Sequence, residues 1–308
     1  MPRKPLLGLL LPSTRAFMKE ARRLTDFSLL DRLHGFVYLH WLYQYIGLGT
    51  KNPTLARILK PLNRFITHKT EDDNKAKIAP GYHGKVMPLE AASQLVSVQE
   101  DIEIRDLEHI VPYKKARDIV LKNPDHIIAL ECPCRSSQSE PCLPLDVCLV
   151  VGEPFATMVL EHHPDRTRKI TSSEAQGILQ AEQERGHVSH AYFKDAMLGR
   201  FYAICNCCAC CCKAMQIHRG GDPMICSSGY IAVIDEDMCI SCGNCEDVCQ
   251  FDAITMSDYA EVDFEACMGC GVCVAHCDGD AAKLELDPAK GEPLIIQELM
   301  AELELKKA

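Results

Sequence analysis

Cysteines at 239, 242, 245 and 249 stand as C-x2-C-x2-C-x3-C. The same spacing returns at Cys267, Cys270, Cys273 and Cys277, every position shifted by 28. A turn carrying a thiolate at every third residue wraps one corner of a cubic iron–sulfur core and points backbone N–H groups at its sulfides. Paired C-x2-C units also suit zinc. Zinc, however, uses two such pairs and has no need of a third in-register cysteine followed by a fourth. The two quartets therefore predict two [4Fe–4S] clusters. Strand-like runs flank them: Tyr230–Asp235 and Ala253–Met256 around the first, Glu261–Phe264 and Ala282–Leu286 around the second.

Over residues 229–288 the pattern resembles the two-cluster ferredoxin domain of bacteria. That resemblance implies crossed ligation, because the fourth cysteine of each run reaches over to the other cluster. Cys277 then joins Cys239, Cys242 and Cys245, and Cys249 joins Cys267, Cys270 and Cys273. The family usually has proline after each fourth cysteine, whereas Gln250 and Asp278 stand there in this chain. Both bring an N–H and a free φ, so looser cross-over turns are expected around an unchanged ligand set.

Eleven of the 19 cysteines lie upstream of these quartets. An odd number crowded into adjacent positions is no disulfide framework, and cluster ligands must be reduced, which implies a reducing compartment. Six fall within eight residues, at Cys205, Cys207, Cys208, Cys210, Cys211 and Cys212. Cys205, Cys208 and Cys211 repeat the three-ligand C-x2-C-x2-C turn, and Cys207 with Cys210 interleaves a further C-x2-C. Neighbouring cysteines point in different directions, so one segment can serve two clusters. Cys132, Cys134, Cys142 and Cys148 follow a buried strand expected over His126–Leu130 and suffice for one metal site. Cys226 stands alone. Two cubanes would use eight of these eleven thiols, so one or two further clusters are expected in the middle of the chain. Arg135 is expected to hydrogen-bond a cluster or to pair with Glu131 or Glu140, and His162-His163 to lie in a loop.

Cys132-Pro-Cys134-Arg135, a helix over Thr171–Gly186, Ile204–Cys212 and Tyr230–Cys277 together resemble a family of 4Fe–4S dicluster proteins from anaerobic bacteria. The likeness covers about two-thirds of the chain. It implies iron–sulfur electron transfer in anaerobic metabolism and supplies no substrate.

The fold class expected is α+β in three parts. Residues 1–78 form a basic, aromatic helical arm, 79–228 a mixed α/β cysteine-rich domain, and 229–308 the ferredoxin-like domain with a C-terminal helix. Residues 1–70 carry 12 basic and 3 acidic side chains, while the chain from Tyr230 onward carries 4 basic and 18 acidic ones. Such asymmetry suits a docking arm and an acidic electron-transfer face. The opening Met1–Pro12 imitates a secretory leader, but its apolar core is short, broken by Gly8 and followed by no cleavage site. Ser13 is expected to cap one helix and Asp26 or Ser28 the next. From Phe36 to Ile46, Phe36, Tyr38, Trp41, Tyr43 and Tyr45 crowd a segment too short to cross a bilayer. It suits a membrane interface or burial against protein. Asn52-Pro53 and Pro61 mark a connector, Thr70–Lys77 a charged loop, and Tyr113–Asn123 a helix.

These features predict an electron-transfer protein or subunit that carries single electrons through several [4Fe–4S] clusters to or from redox partners. Its place is the cytoplasm or the membrane surface, where a membrane-associated complex is a candidate partner. The alternative is a reductase whose Cys205–Cys212 nest holds a catalytic cluster with an open iron site. A redox or iron sensor is a third, non-enzymatic reading. No nucleotide motif is present, and no basic recognition face for nucleic acid.

Overall fold

Successive side chains of a strand face opposite ways, and the middle of this chain uses that alternation to set one sheet between two cores. The computed structural model describes residues 11–25, 27–51, 68–69 and 76–307. The leader-like residues 1–10, Asp26, the prolyl connector within 52–67, and residues 70–75 of the charged loop lie outside the described residues.

In chain order, β1 (His68–Lys69) pairs with β2 (Ala76–Lys77). Then come β3 (Tyr82–Met87), β4 (Ile102–Ile104), β5 (Ile119–Leu121), β6 (Ile127–Leu130) and β7 (Cys148–Val151). After them run β8 (Thr167–Ile170), β9 (Val188–Lys194), β10 (Arg200–Cys207) and β11 (Ile225–Cys226). Seven form one sheet in the order β11-β3-β9-β10-β7-β6-β8. β11 runs parallel to β3, and the other neighbours are antiparallel.

Ile127, Ala129, Leu149, Val151, Phe193 and Ile204 face one core, which helices Leu89–Leu95 and Ser172–Glu184 cover. Ile128, Leu130, Cys148, Val150, Tyr192 and Cys207 face the other. Thr171 caps the Ser172–Glu184 helix, its hydroxyl accepting from the Glu174 N–H at 3.2 Å.

The N-terminal helices form the far wall of the second core. Helices Pro12–Ala21 and Leu29–His40 bury Phe17, Phe36, Tyr38 and Leu39 there, alongside Leu42 and the Phe155–His162 helix. His162 is hydrogen-bonded to Thr14 (2.9 Å) and His40 (2.7 Å), and His163 to the Leu39 carbonyl (2.6 Å). The helical arm, for which the sequence leaves open a membrane interface or burial against protein, is over its described residues packed into the central core. His162 and His163 are the bolts that hold it. Ser28 caps its helix in a reciprocal box with Asp31. Ser13 does not cap; its hydroxyl and N–H turn to Glu161 instead. The aromatic run breaks at Trp41 into two helices.

The helix expected over Tyr113–Asn123 is instead β5, paired with β4. Ala116 (φ 53°) and Asn123 (φ 51°) take left-handed backbone on either side of it. A run this short carries helical and strand periodicity alike, and the open edge of β4 decides between them.

Downstream, β12 (Tyr230–Ile234) pairs with β15 (Ala282–Leu286), and β13 (Ile254–Met256) with β14 (Ala260–Val262). Short helices Asn244–Asp247 and Val272–Ala275 each follow a glycine of positive φ. The C-terminal helix Ile296–Lys307 leaves this unit: Ile296 and Leu299 are buried with Leu95 and Ile104 of the sheet domain. An apolar stripe follows whichever groove remains open, which its sequence position does not specify.

Candidate metal centres

The two C-terminal quartets arise from one local geometry used twice. Ser241 and Gly269, Gly243 and Gly271, and Asp252 and Asp280 are pairs 28 residues apart, and all have positive φ. At Gly269 a Cβ would lie 2.1 Å from the Tyr230 carbonyl oxygen, so glycine is required there. The Ala253 N–H donates to Cys249 Sγ at 3.3 Å, and its counterpart Ala281 to Cys277 Sγ at 3.2 Å. Cys239, Cys242, Cys245 and Cys277 line one cavity. Cys249, Cys267, Cys270 and Cys273 line another. Each sulfur set thus contains one thiol from the other run. Cys242 is exposed, whereas Cys267 and Cys273 are buried, so the second cavity faces inward. Burial pushes the Cys270 thiol up to about 12, and only a bound cation would ionise such a group readily.

A third collection lies beneath the sheet. Cys148 opens β7 directly opposite Cys205 on β10, and Cys205 and Cys207 share a strand face. The β6–β7 loop brings Cys132 and Cys134, and Cys212 closes the turn after β10. Thiol contacts link Cys205, Cys148, Cys132, Cys134, Cys212 and Cys207 in that sequence. All six line one apolar cavity with Tyr38, Tyr82, Tyr192 and Tyr202. Tyr192 Oη stands 3.8 Å from Cys207 Sγ and 3.7 Å from Cys212 Sγ.

Arg135 forms part of the same wall. Its guanidinium pairs with Glu182 at 2.6 Å, both side chains being 1 % exposed, and donates to the carbonyls of Pro144 (2.7 Å) and Asn206 (3.1 Å). The expected partners Glu131 and Glu140 are not used; Glu182 lies 47 residues away and gave no local signal. Burial alone would raise the Glu182 carboxyl, but the hydrogen bond from His187 and the charge of Arg135 outweigh it and hold it low. Arg135 Nε is buried without a hydrogen-bond partner among the described residues. The Arg135 backbone N–H donates to Cys132 Sγ at 3.5 Å. Soft sulfur donors beside an unpartnered cationic N–H fit an anionic thiolate-bound iron–sulfur cluster.

Cys142, Cys208, Cys210 and Cys211 gather at the turn after β10, and Cys208 also lines the six-thiol pocket. The C-x2-C-x2-C reading of Cys205, Cys208 and Cys211 is therefore split between two groups. Cys205 is still within β10, where alternation rather than a turn sets its direction. Cys226 joins none of these groups. Its thiol donates to the Gly84 carbonyl at 3.4 Å, and burial pushes it up to about 11.

Residues 232–255 match the family model of the 4Fe-4S binding domain. The chain matches no curated protein and no solved structure. The 4Fe-4S binding domain match spans Cys239, Cys242, Cys245 and Cys249, and it supports an iron–sulfur electron-transfer role. Among the described residues no helix is long and apolar enough to cross a membrane.

Proposed function

We propose that this chain is a multi-cluster electron-transfer protein or subunit, working with redox partner proteins in anaerobic metabolism. Two [4Fe–4S] clusters would sit in the C-terminal cavities and a further iron–sulfur cluster in the six-thiol pocket. Each bound cluster supplies a one-electron carrier. The observation that carries the reading is a run of packed side chains between the Cys249 cavity and the upstream pocket. From Cys249 the packing continues through Phe251 to the His190 ring at 6.5 Å, then to Tyr192 at 5.8 Å, which reaches Cys207 and Cys212.

The residues set the environment at each stage. Exposed Cys242 and the acidic side chains around it form the face for a partner, and the buried inner thiols exclude water. Arg135 supplies fixed positive charge beside Cys132. The first two helices expose Leu29, Leu30 and Leu33, with Trp41 after them, and also Arg15, Lys19, Arg22 and Arg23. These side chains suit attachment to an anionic membrane surface or a membrane-associated complex.

The thiols lining this pocket, Cys208 included, exceed the four that a cubane needs, which favours electron carriage over an open catalytic iron. Iron and sulfide analysis of anoxically purified protein, with EPR of the reduced state, tests this. At least three clusters per chain are expected, or about twelve irons, with a spectrum unmoved by cyanide or carbon monoxide. Only eight irons would leave the six-thiol pocket outside the chain of carriers. A ligand-shifted signal lost in Cys207→Ser would replace the carrier reading with a catalytic one.

A further inference from the structure

Cys142, Cys208, Cys210 and Cys211 have a geometry unlike that of the cluster cavities. Their four Sγ atoms all lie within 4.8 Å of one another. Cys142 Sγ is 3.2 Å from Cys210 Sγ, and Cys210 Sγ is 3.5 Å from Cys211 Sγ. Four thiolates bound tetrahedrally to one ion at 2.3 Å stand about 3.8 Å apart. A cubane binds each thiolate to a different iron, so its sulfurs are spread further by the width of the core. Four reduced thiols drawn this close fit a single cation.

The surrounding backbone is arranged to hold that shape. Cys208, Cys210 and Cys211 occupy a helical turn in which the Cys212 N–H donates to the Cys208 carbonyl at 3.0 Å. Gln216 donates to the Cys210 carbonyl at 2.9 Å, and Gln138 to that of Cys211 at 3.4 Å. Cys142 arrives from the β6–β7 loop, 66 residues before Cys208. The same loop carries Cys132 and Cys134 into the six-thiol pocket. An ion here would clip the loop to the turn, and so fix two walls of that pocket.

We propose that Cys142, Cys208, Cys210 and Cys211 form a closed tetrathiolate site for one zinc ion, which holds the β6–β7 loop in place and carries no electrons. The donor set is all sulfur, and no position is left for water or substrate, as in structural zinc sites. The site uses none of the six thiols assigned to a cluster in the electron-transfer reading, and shares with that pocket only a wall at Cys208.

The test is elemental analysis of the full-length, anoxically purified protein, together with X-ray absorption at the zinc edge. One zinc per chain with four sulfur neighbours at about 2.3 Å is expected. Exchange with cobalt(II) should give an intense thiolate-to-cobalt charge-transfer band. Cys142→Ser with Cys210→Ser should reduce zinc from one equivalent to none while the ferredoxin iron stays. Failure of this variant to fold would leave the wild-type absorption and cobalt spectra to decide. Absence of zinc, with four irons lost in the variant, would overturn the proposal in favour of a cubane. A single iron held there in preference to zinc would equally overturn it.

Discussion

Gln250 Oε1 accepts the backbone N–H of Ala209 at 2.8 Å, joining the ferredoxin unit to the middle of the upstream cysteine nest. Arg219 reinforces the joint, donating to the Gln250 carbonyl at 2.9 Å and pairing with Asp252 at 2.8 Å. Gln250 stands where the ferredoxin family usually has proline. The departure replaces a rigid turn with a side chain that reaches across the domain boundary.

Gln250→Ala should therefore loosen the joint without removing a ligand. One part-buried hydrogen bond is lost, which costs about 1 kcal/mol. Denaturant unfolding should register that loss, with iron content unchanged, and Gln250→Glu should retain most of the stability. An iron deficit in Gln250→Ala would show that the residue supports a cluster directly.

The crossed sulfur sets make a sharper prediction at Cys249. Cys249→Ser should perturb the EPR signal and iron of the cluster associated with Cys267, Cys270 and Cys273, and spare the one near Cys239. The opposite pattern would sink the crossed assignment.

At Gly35 the helix backbone touches the sheet domain: an added Cβ would lie 2.3 Å from the Ala196 carbonyl oxygen and 2.6 Å from Phe17 Cζ. Gly35→Ala must push the helix outward, at about 1–3 kcal/mol. Tyr38, one turn along, would leave the six-thiol pocket. The expected result is a lower Tm and loss of the iron proposed for the six-thiol pocket, with that of the C-terminal quartets retained. Unchanged iron would mean that the N-terminal helices do not seal the pocket.

Arg135→Met should be among the most damaging single changes outside the cysteines. It leaves the buried Glu182 carboxylate with only half-exposed Arg185 at 3.1 Å and His187 at 2.8 Å opposite it, a loss toward the lower end of about 3–5 kcal/mol. Arg135→Met with Glu182→Met should recover much of the stability, because both charges are then removed. Thermal unfolding of the two variants makes the comparison, and equal Tm values would argue against the pair.

Glu20 links the first helix to the sheet domain, accepting from Lys122 and Arg200, each at 2.8 Å. Burial raises its carboxyl, but Arg200 and Lys122 outweigh this and hold it below its ordinary value of 4.5. The folded value is thus below the unfolded one. The stabilisation is complete above pH 4.5 and disappears as the pH falls through the folded value. Glu20→Gln should be less stable than wild type at neutral pH and converge with it in acid. A gap that persists in acid would assign the effect to packing.

The local features were readable along the chain. The quartet spacing, the Ser28 cap and the β13–β14 hairpin each rest on contacts within a few residues. The Tyr113–Asn123 stretch was not, because three buried residues of β5 satisfy either period until β4 lies beside them. Nor was the partner of Arg135, since Glu182 is brought to it by the packing of a helix on a sheet.

By its sequence alone the chain specified two repeated thiol quartets, a nest of six more cysteines and an acidic end opposite a basic one. Spacing decides such things, because a turn delivers nearby thiols wherever it is placed. Tertiary structure decided how the other eleven were shared out. Seven of them line a pocket, four draw close enough for one ion with Cys208 common to both, and Cys226 bonds to a backbone carbonyl. The physical reason is direction. Cys205 and Cys207 point with the alternation of β10, Cys208, Cys210 and Cys211 with the helical turn that follows, and only the fold supplies Cys148 across the sheet and Cys142 from the facing loop.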